Sequence, residues 1–276
     1  MRRSWTWIAV GLLIAMLAPG VAESSLGRVR ALTAGSFASP CPYSHRLSDD
    51  PIVAPTVEGA SHSHDFFGNR STNADSSYGS LRASGTTCRR DEDGAAYWVP
   101  TLRYNGNAVQ ANSLVAYYRA GRRDRADIRA FPAALRVIAG NAKATSPQPL
   151  RVVYWRCGQD RRVPHSNMPP QCPAGENIRL VINFPDCWNG RDLDSADHKS
   201  HMTYSSKGTC PASHPVAVPI LELAIQYPVT DGKRVTLASG GAQTAHADFF
   251  NAWHQPTLER LVRSCINTGV KCHRSL

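Results

Sequence analysis

Eight cysteines constrain this chain more than any other feature: Cys41, Cys88, Cys157, Cys172, Cys187, Cys210, Cys265 and Cys272. The number is even and no Cys-x-x-Cys pair is present, so a structural zinc or thioredoxin-like site is disfavoured and four disulfides are expected. Eight cysteines allow roughly a hundred pairings. The spacings favour short loops, Cys157 with Cys172, Cys187 with Cys210 and Cys265 with Cys272, which leaves Cys41 with Cys88. A chain stapled in this way belongs in an oxidising compartment.

The start of the chain points to the same place. Arg2 and Arg3 precede an apolar run over residues 8–17, and Pro19, Gly20, Val21 and Ala22 then supply a helix breaker and small residues where a signal peptidase reads. The run is shorter than the roughly 20 residues that span a bilayer. Residues 1–22 therefore read as a signal peptide, residues 23–40 as a loose mature N-terminus, and residues 41–276 as a single globular domain. The expected product is secreted, extracellular and monomeric, with no membrane contact.

Cleavage takes two arginines from a formal charge of +10, leaving +8. A basic surface attracts nucleic acid or anionic polymers, and secretion argues against nucleic acid. The densest basic stretch is Arg119, Arg122, Arg123, Arg125 and Arg129. It is interleaved with Asp124 and Asp127, so it reads as a solvated face rather than a binding patch.

Short β-branched and aromatic runs bounded by Gly, Pro, Asn or Asp predict strands over 97–102, 114–118, 152–155 and 178–184, with more over 216–227 broken at Pro219. Two short helices are predicted, over 132–138 and 256–265; the second carries Leu258, Leu261 and Val262 on one face. With nineteen prolines and twenty glycines in many connections, the fold class is all-β, a β-sandwich or jelly-roll-like domain with long disulfide-pinned loops and a short C-terminal helix.

Chemistry-bearing residues gather in a few segments. In Ser61-His62-Ser63-His64-Asp65, an extended backbone sends His62 and His64 to one side and Asp65 to the other. His246 and Asp248 share a face in the same way. Between them lies a loop pinned by Cys187 that carries Asp192, Asp194, Asp197, His198 and His201. Imidazoles and carboxylates so arranged suit proton transfer, sugar contacts or one divalent cation. The catalytic candidates are His64, Asp65, Asp197, His198, His246 and Asp248. The substrate-binding candidates are His62, Asn69, His201 and Asn251. His45, His165, His214 and His273 read as structural.

The same segments, together with Gly85-Thr86-Thr87-Cys88, Ala96-Tyr97-Trp98-Val99-Pro100-Thr101-Leu102 and Cys210-Pro211-Ala212-Ser213-His214-Pro215, resemble a family of secreted actinobacterial and fungal proteins known as domain of unknown function 1996. The resemblance runs from about Cys41 to Cys265. Fungal members are often joined to WSC domains, which are linked to carbohydrate binding at cell walls, so the resemblance implies a glycan partner without assigning a role to any residue. Where family members often carry an acidic residue, this chain has His254.

Two readings follow. The first is a secreted polysaccharide hydrolase or lyase with a His/Asp/Asn site, acting on an extracellular polysaccharide that the basic charge favours as anionic. A hydrolase needs two carboxylates, for which Asp65, Asp197 and Asp248 are candidates. A lyase needs a base such as His64, His198 or His246, and a group such as Asn69 to neutralise the substrate carboxylate. The alternative is a non-catalytic, wall-associated carbohydrate- or metal-binding protein. No Gly-x-Ser-x-Gly or His-Glu-x-x-His motif is present, which argues against a serine esterase or a zincin protease.

Overall fold

Alternation of buried and half-exposed side chains, plainest in Ser113–Arg119 and Arg136–Gly140, makes strands that hide one face. In the computed structural model two five-stranded sheets bury those faces against each other. Apart from Met1, the structure describes residues 35–121, 123–159 and 165–272. The proposed signal peptide, most of the stretch 23–40 and His273 lie outside the described residues.

The first sheet runs Ser36–Pro40, Ser113–Arg119, Ile220–Gln226, Ile178–Asn183, Val153–Cys157, with every neighbour antiparallel. The second runs Tyr43–Leu47, His64–Gly68, Ala96–Pro100, His246–Phe250, Arg136–Gly140, again antiparallel throughout. Leu114, Ala116 and Tyr118 from the first meet Tyr97, Val99, Ala247 and Phe249 from the second in one core. This is the all-β sandwich expected. A smaller core on the outer face of the second sheet packs Phe66, Trp98 and Phe250 beneath Ile52 and Leu81. The cysteines pair as their spacings favoured, Cys41–Cys88, Cys157–Cys172, Cys187–Cys210 and Cys265–Cys272. No helix among the described residues is long and apolar enough to cross a membrane.

Three expectations need correction. Residues 132–138 are not a helix: Arg136–Gly140 is an edge strand, with Val137 and Ala139 turned into the core and paired to His246–Phe250. The apolar spacing there fitted either period, and β-branched Val137 and Ile138 gain more from a pleated sheet than from a single helical turn. The end of the supposedly loose stretch 23–40 is the strand Ser36–Pro40, anchored by Phe37 stacked on Tyr118 at 4.6 Å. The basic stretch is not wholly solvated either, because Arg123 is buried in an ion pair with Asp186. The C-terminal helix is present as Gln255–Leu261, continued by a π-helical turn Val262–Ile266.

The core also holds a polar chain. Trp253 Nε1 donates to Tyr118 Oη at 3.0 Å, the Tyr118 and Tyr97 hydroxyls are 2.7 Å apart, and Tyr97 donates to Asp93 at 3.0 Å. Asp93 is fully buried, and burial pushes its carboxyl up to about 7, against the pull of its hydrogen bonds. A carboxyl whose folded-state pKa is raised stabilises the fold in its protonated form. That stability is present below pH 4 and lost as pH rises toward 7. At about 1.4 kcal/mol per pKa unit, the loss from this group is at most about 4 kcal/mol. Asp93→Asn is expected to flatten that part of the slope. Denaturation of both proteins across pH 4 to 8 checks it, and identical slopes would refute the assignment.

Candidate functional site

The second sheet places the site. Side chains 62, 64 and 66 leave their backbone on the side opposite the main core, as do 246, 248 and 250, because direction alternates along extended chain. Within the sheet the strands His64–Gly68 and His246–Phe250 flank Ala96–Pro100, with His64 opposite Pro100 and Asp248 opposite Trp98. Histidines almost two hundred residues apart are thereby brought side by side. The ring centroids of His62 and His64 are 4.3 Å apart, those of His62 and His246 5.0 Å, and those of His64 and His246 5.8 Å. His62 Nε2 lies 3.2 Å from His246 Nε2.

The protons on two of these rings follow from their partners. His64 Nδ1 is 2.9 Å from the Asp49 carbonyl and His246 Nδ1 is 2.9 Å from the Thr244 carbonyl. A carbonyl only accepts, so both Nδ1 atoms carry hydrogen and a neutral ring keeps its lone pair on Nε2. Burial lowers the pKa of all three imidazoles, that of His64 well below its usual value with further repulsion from His246 and His62, and that of His246 to about 4.

Two acids complete the cluster. Asp248 is buried, and its carboxyl is held well above the usual range by burial and by neighbouring Asp50, against the opposite pull of Lys199. Asp50 is also raised by burial, while its Oδ1 accepts from the Ile52 and Val53 amides at 2.9 and 3.0 Å. Asp50, His64 and Asp248 each offer a nitrogen or oxygen atom within 4.8 Å of the others. His64 Nε2 and Asp248 Oδ2 have no hydrogen-bond partner among the described residues. Leaving such groups buried and unpaired costs about 1–3 kcal/mol each. Two sets that share His64, one of three imidazoles and one of His64 with two carboxyls, thus have the spacing of cation ligands.

Asp50, His62, His246 and Asp248 of the cluster border a cleft of about 380 Å³. Asn141, Lys143, His198 and Lys199 also line it. Lys199 Nζ donates to the Gly140 carbonyl at 3.0 Å. Gly140 has φ +82°, and a Cβ there would sit 2.6 Å from the Ala245 carbonyl, so only glycine lets the edge strand end this close to His246. His198 Nδ1 lies 3.0 and 3.1 Å from the two carboxylate oxygens of Asp194. It therefore carries its hydrogen there, and in the neutral ring Nε2 is the acceptor. His198 also has φ +57°, an unfavourable conformation for a residue with a Cβ.

Of the candidates, His62, His64, His246 and Asp248 meet, and His198 faces the same cleft. The others do not join them. Asp65 points to the opposite side and is bound by Arg46 at 2.6 and 3.2 Å and by Thr101. Asp197 lines the rim, but its Oδ1 closes a turn by accepting from Ser195, Lys199 and Ser200, and those bonds hold its carboxyl low. Asn69 braces the Leu81 and Gly94 carbonyls, and Asn251 those of Phe131 and Pro132. His201 is buried between Ser195 and the Arg136 carbonyl. Asn69, Asn251 and His201 satisfy buried backbone rather than substrate. His45, stacked on Phe66, and His165, stacked on Tyr154, have structural surroundings as expected.

Asp50 was missed, because Ser48-Asp49-Asp50-Pro51 reads as turn chemistry. Asp194 was visible only as one of several aspartates in its loop. Among known proteins, the family described as Domain of unknown function (DUF1996) matches residues 50–253. That span contains every residue of the cleft named above. No curated protein and no solved structure matches the chain.

Proposed function

The chain belongs to the DUF1996 family, a premise that fixes kinship and leaves the chemistry to the cleft; from the cleft we propose a secreted enzyme that cleaves an anionic extracellular polysaccharide. The observation that carries this reading is the His198–Asp194 pair facing a cleft whose rim holds Lys143 and Lys199. Asp194 orients the ring and leaves Nε2 to take a proton, the arrangement of a general base. The two lysines favour a substrate that carries carboxylates. Four disulfides agree with an extracellular setting.

Elimination fits this cleft better than two-carboxylate hydrolysis. Asp65 and Asp197 are engaged elsewhere, while Asp50 and Asp248 border the cleft but are almost wholly buried beside His64. In elimination, His198 Nε2 removes the proton α to a uronate carboxylate. The glycosidic C–O bond β to that carbon breaks, a C=C bond forms, and the departing oxygen takes up a proton. A lysine in place of the expected Asn69 balances the carboxylate charge.

Incubation of the purified protein with uronate-containing and neutral polysaccharides tests this. The expected result is new reducing ends accompanied by unsaturated, ultraviolet-absorbing ends, from uronate polymers alone. Reducing ends without unsaturation would replace elimination with hydrolysis. Polymer retention without any new ends would leave a wall-associated binding protein.

A further inference from the structure

The histidine cluster has a stereochemistry that proton transfer does not require. We propose that the Nε2 atoms of His62, His64 and His246 bind one divalent first-row transition ion of the zinc type, with Asp248 as the adjoining buried carboxylate. The inference goes beyond glycan cleavage and stands whether or not the cleft is catalytic.

Spacing is the first argument. Each of the three histidines offers a ring nitrogen within 4.8 Å of the others. Two nitrogens bound tetrahedrally to zinc at 2.0–2.1 Å stand about 3.3 Å apart. His62 Nε2 and His246 Nε2 are separated by 3.2 Å. One bond therefore already has the width of a coordination edge.

Orientation is the second. Histidines that ligate a metal usually donate the other ring N–H to a carbonyl or carboxylate, which fixes the tautomer and aims the lone pair. His64 and His246 both do so, each to a main-chain carbonyl at 2.9 Å. The carbonyls belong to Asp49 and Thr244, and the Asp49 side chain is itself tied to the Gly59 and Ala74 amides at 2.9 and 3.1 Å. The outer support of the cluster is thus rigid backbone.

Unpaired atoms are the third. A hydrogen bond from His62 to His246 accounts for the contact between those two rings. It leaves His64 Nε2 with no partner at 0 % exposure, and Asp248 Oδ2 likewise unpartnered at 1 %. With Nδ1 protonated, the neutral His64 ring has its acceptor at Nε2, and neither that atom nor Asp248 Oδ2 is engaged by another described residue. One cation in the cluster would engage the lone pair of His64 and a carboxyl oxygen of Asp248 together. Asp50, within reach of both His64 and Asp248, supplies a second carboxylate on that side.

The donor set selects the ion. Imidazole nitrogens suit zinc, copper, nickel and iron, whereas calcium and magnesium prefer sets made of oxygen. His62 and His246 line the cleft, so an ion held there would be reached from it.

The test is direct. Protein made without a polyhistidine tag is stripped with chelator, titrated with zinc chloride by calorimetry, and analysed for bound metal by mass spectrometry after desalting. One equivalent per chain is expected, with a melting temperature that rises on loading. His62 is only half-buried and lies just before its strand, so His62→Ala is expected to melt like the stripped wild-type protein and to bind zinc at least about 100-fold more weakly. Asp248→Asn provides a second variant and is expected to bind more weakly while keeping the one-to-one stoichiometry. Less than half an equivalent on the wild type, or unchanged affinity in His62→Ala, would overturn the inference. Zinc binding without polysaccharide cleavage leaves it standing and ends the enzyme reading. Cleavage by a protein that takes up no metal does the reverse.

Discussion

Replacement of His198 by alanine is expected to lower polysaccharide cleavage by about 10²- to 10⁴-fold, the range lost with a general base, and to leave the melting temperature unchanged. The fold has little invested in this side chain. It is 27 % exposed, and its one ion pair, with Asp194, is partly open to water, where such pairs are worth at most about 1 kcal/mol. The backbone at φ +57° is a cost that alanine inherits. His198→Gly relieves that cost and is expected to be at least as stable as the wild type while being equally inactive. Asp194→Asn keeps the shape and loses the charge that orients the ring, so an intermediate loss of rate is expected. Cleavage rates and melts on the three variants decide it. Full activity in His198→Ala would remove His198 from the chemistry. His64→Ala is not a clean companion test, because His64 is fully buried and its loss is expected to cost stability as well as function.

Arg123→Ala is expected to destabilise the protein by about 3–5 kcal/mol, the usual consequence of stripping one partner from a buried ion pair. Arg123 and Asp186 have side chains only 4 % exposed, and their charged ends are in contact. Arg123 Nη1 also donates to the Asp186 carbonyl at 3.0 Å. The Asp186 carboxylate further accepts from the Ser205 amide at 2.8 Å and the Ser205 hydroxyl at 2.9 Å. Without the guanidinium, Asp186 keeps two neutral donors and a buried charge. Urea unfolding under non-reducing conditions should show a lower midpoint with the same slope. The double replacement Arg123→Met with Asp186→Leu should recover much of the loss, since a buried pair exchanged for apolar groups is often near neutral. A single variant within 1 kcal/mol of wild type would mean that the pair is open to water in solution.

What could be read in the sequence was what a strict period fixes. The alternation His62, His64 and the alternation His246, Asp248 gave the correct face for four cluster members, and the same rule correctly sent Asp65 to the other side. Cysteine spacing anticipated all four bridges. What escaped depends on contacts that no local pattern encodes. Asn69, His201 and Asn251 have the composition of ligands, yet each is spent on main-chain groups that only the folded loops bring near. In the loop after Cys187, Asp197 was a catalytic candidate, but a turn uses Asp197 internally and it is Asp194, four residues before His198, that meets the ring. Arg123 looked solvated because its neighbours Asp124 and Asp127 are polar; its actual partner is sixty-three residues away.

The two sides of the cleft are fastened by different forces. His64, His246 and Asp248 stand on strands at the middle of a sheet, secured by ladder bonds and by aromatic packing on both faces. Asp194, His198 and Lys199 stand on a loop whose ends are joined covalently by Cys187–Cys210, with only two-residue strands beside that bridge. Heat must melt the sandwich before it scatters the histidines. A thiol reductant needs only to open one bond to give the segment between the two sulfurs back its chain entropy. Reduction of that bridge is therefore expected to loosen the segment that carries His198 before it disturbs the strands that carry the histidine cluster.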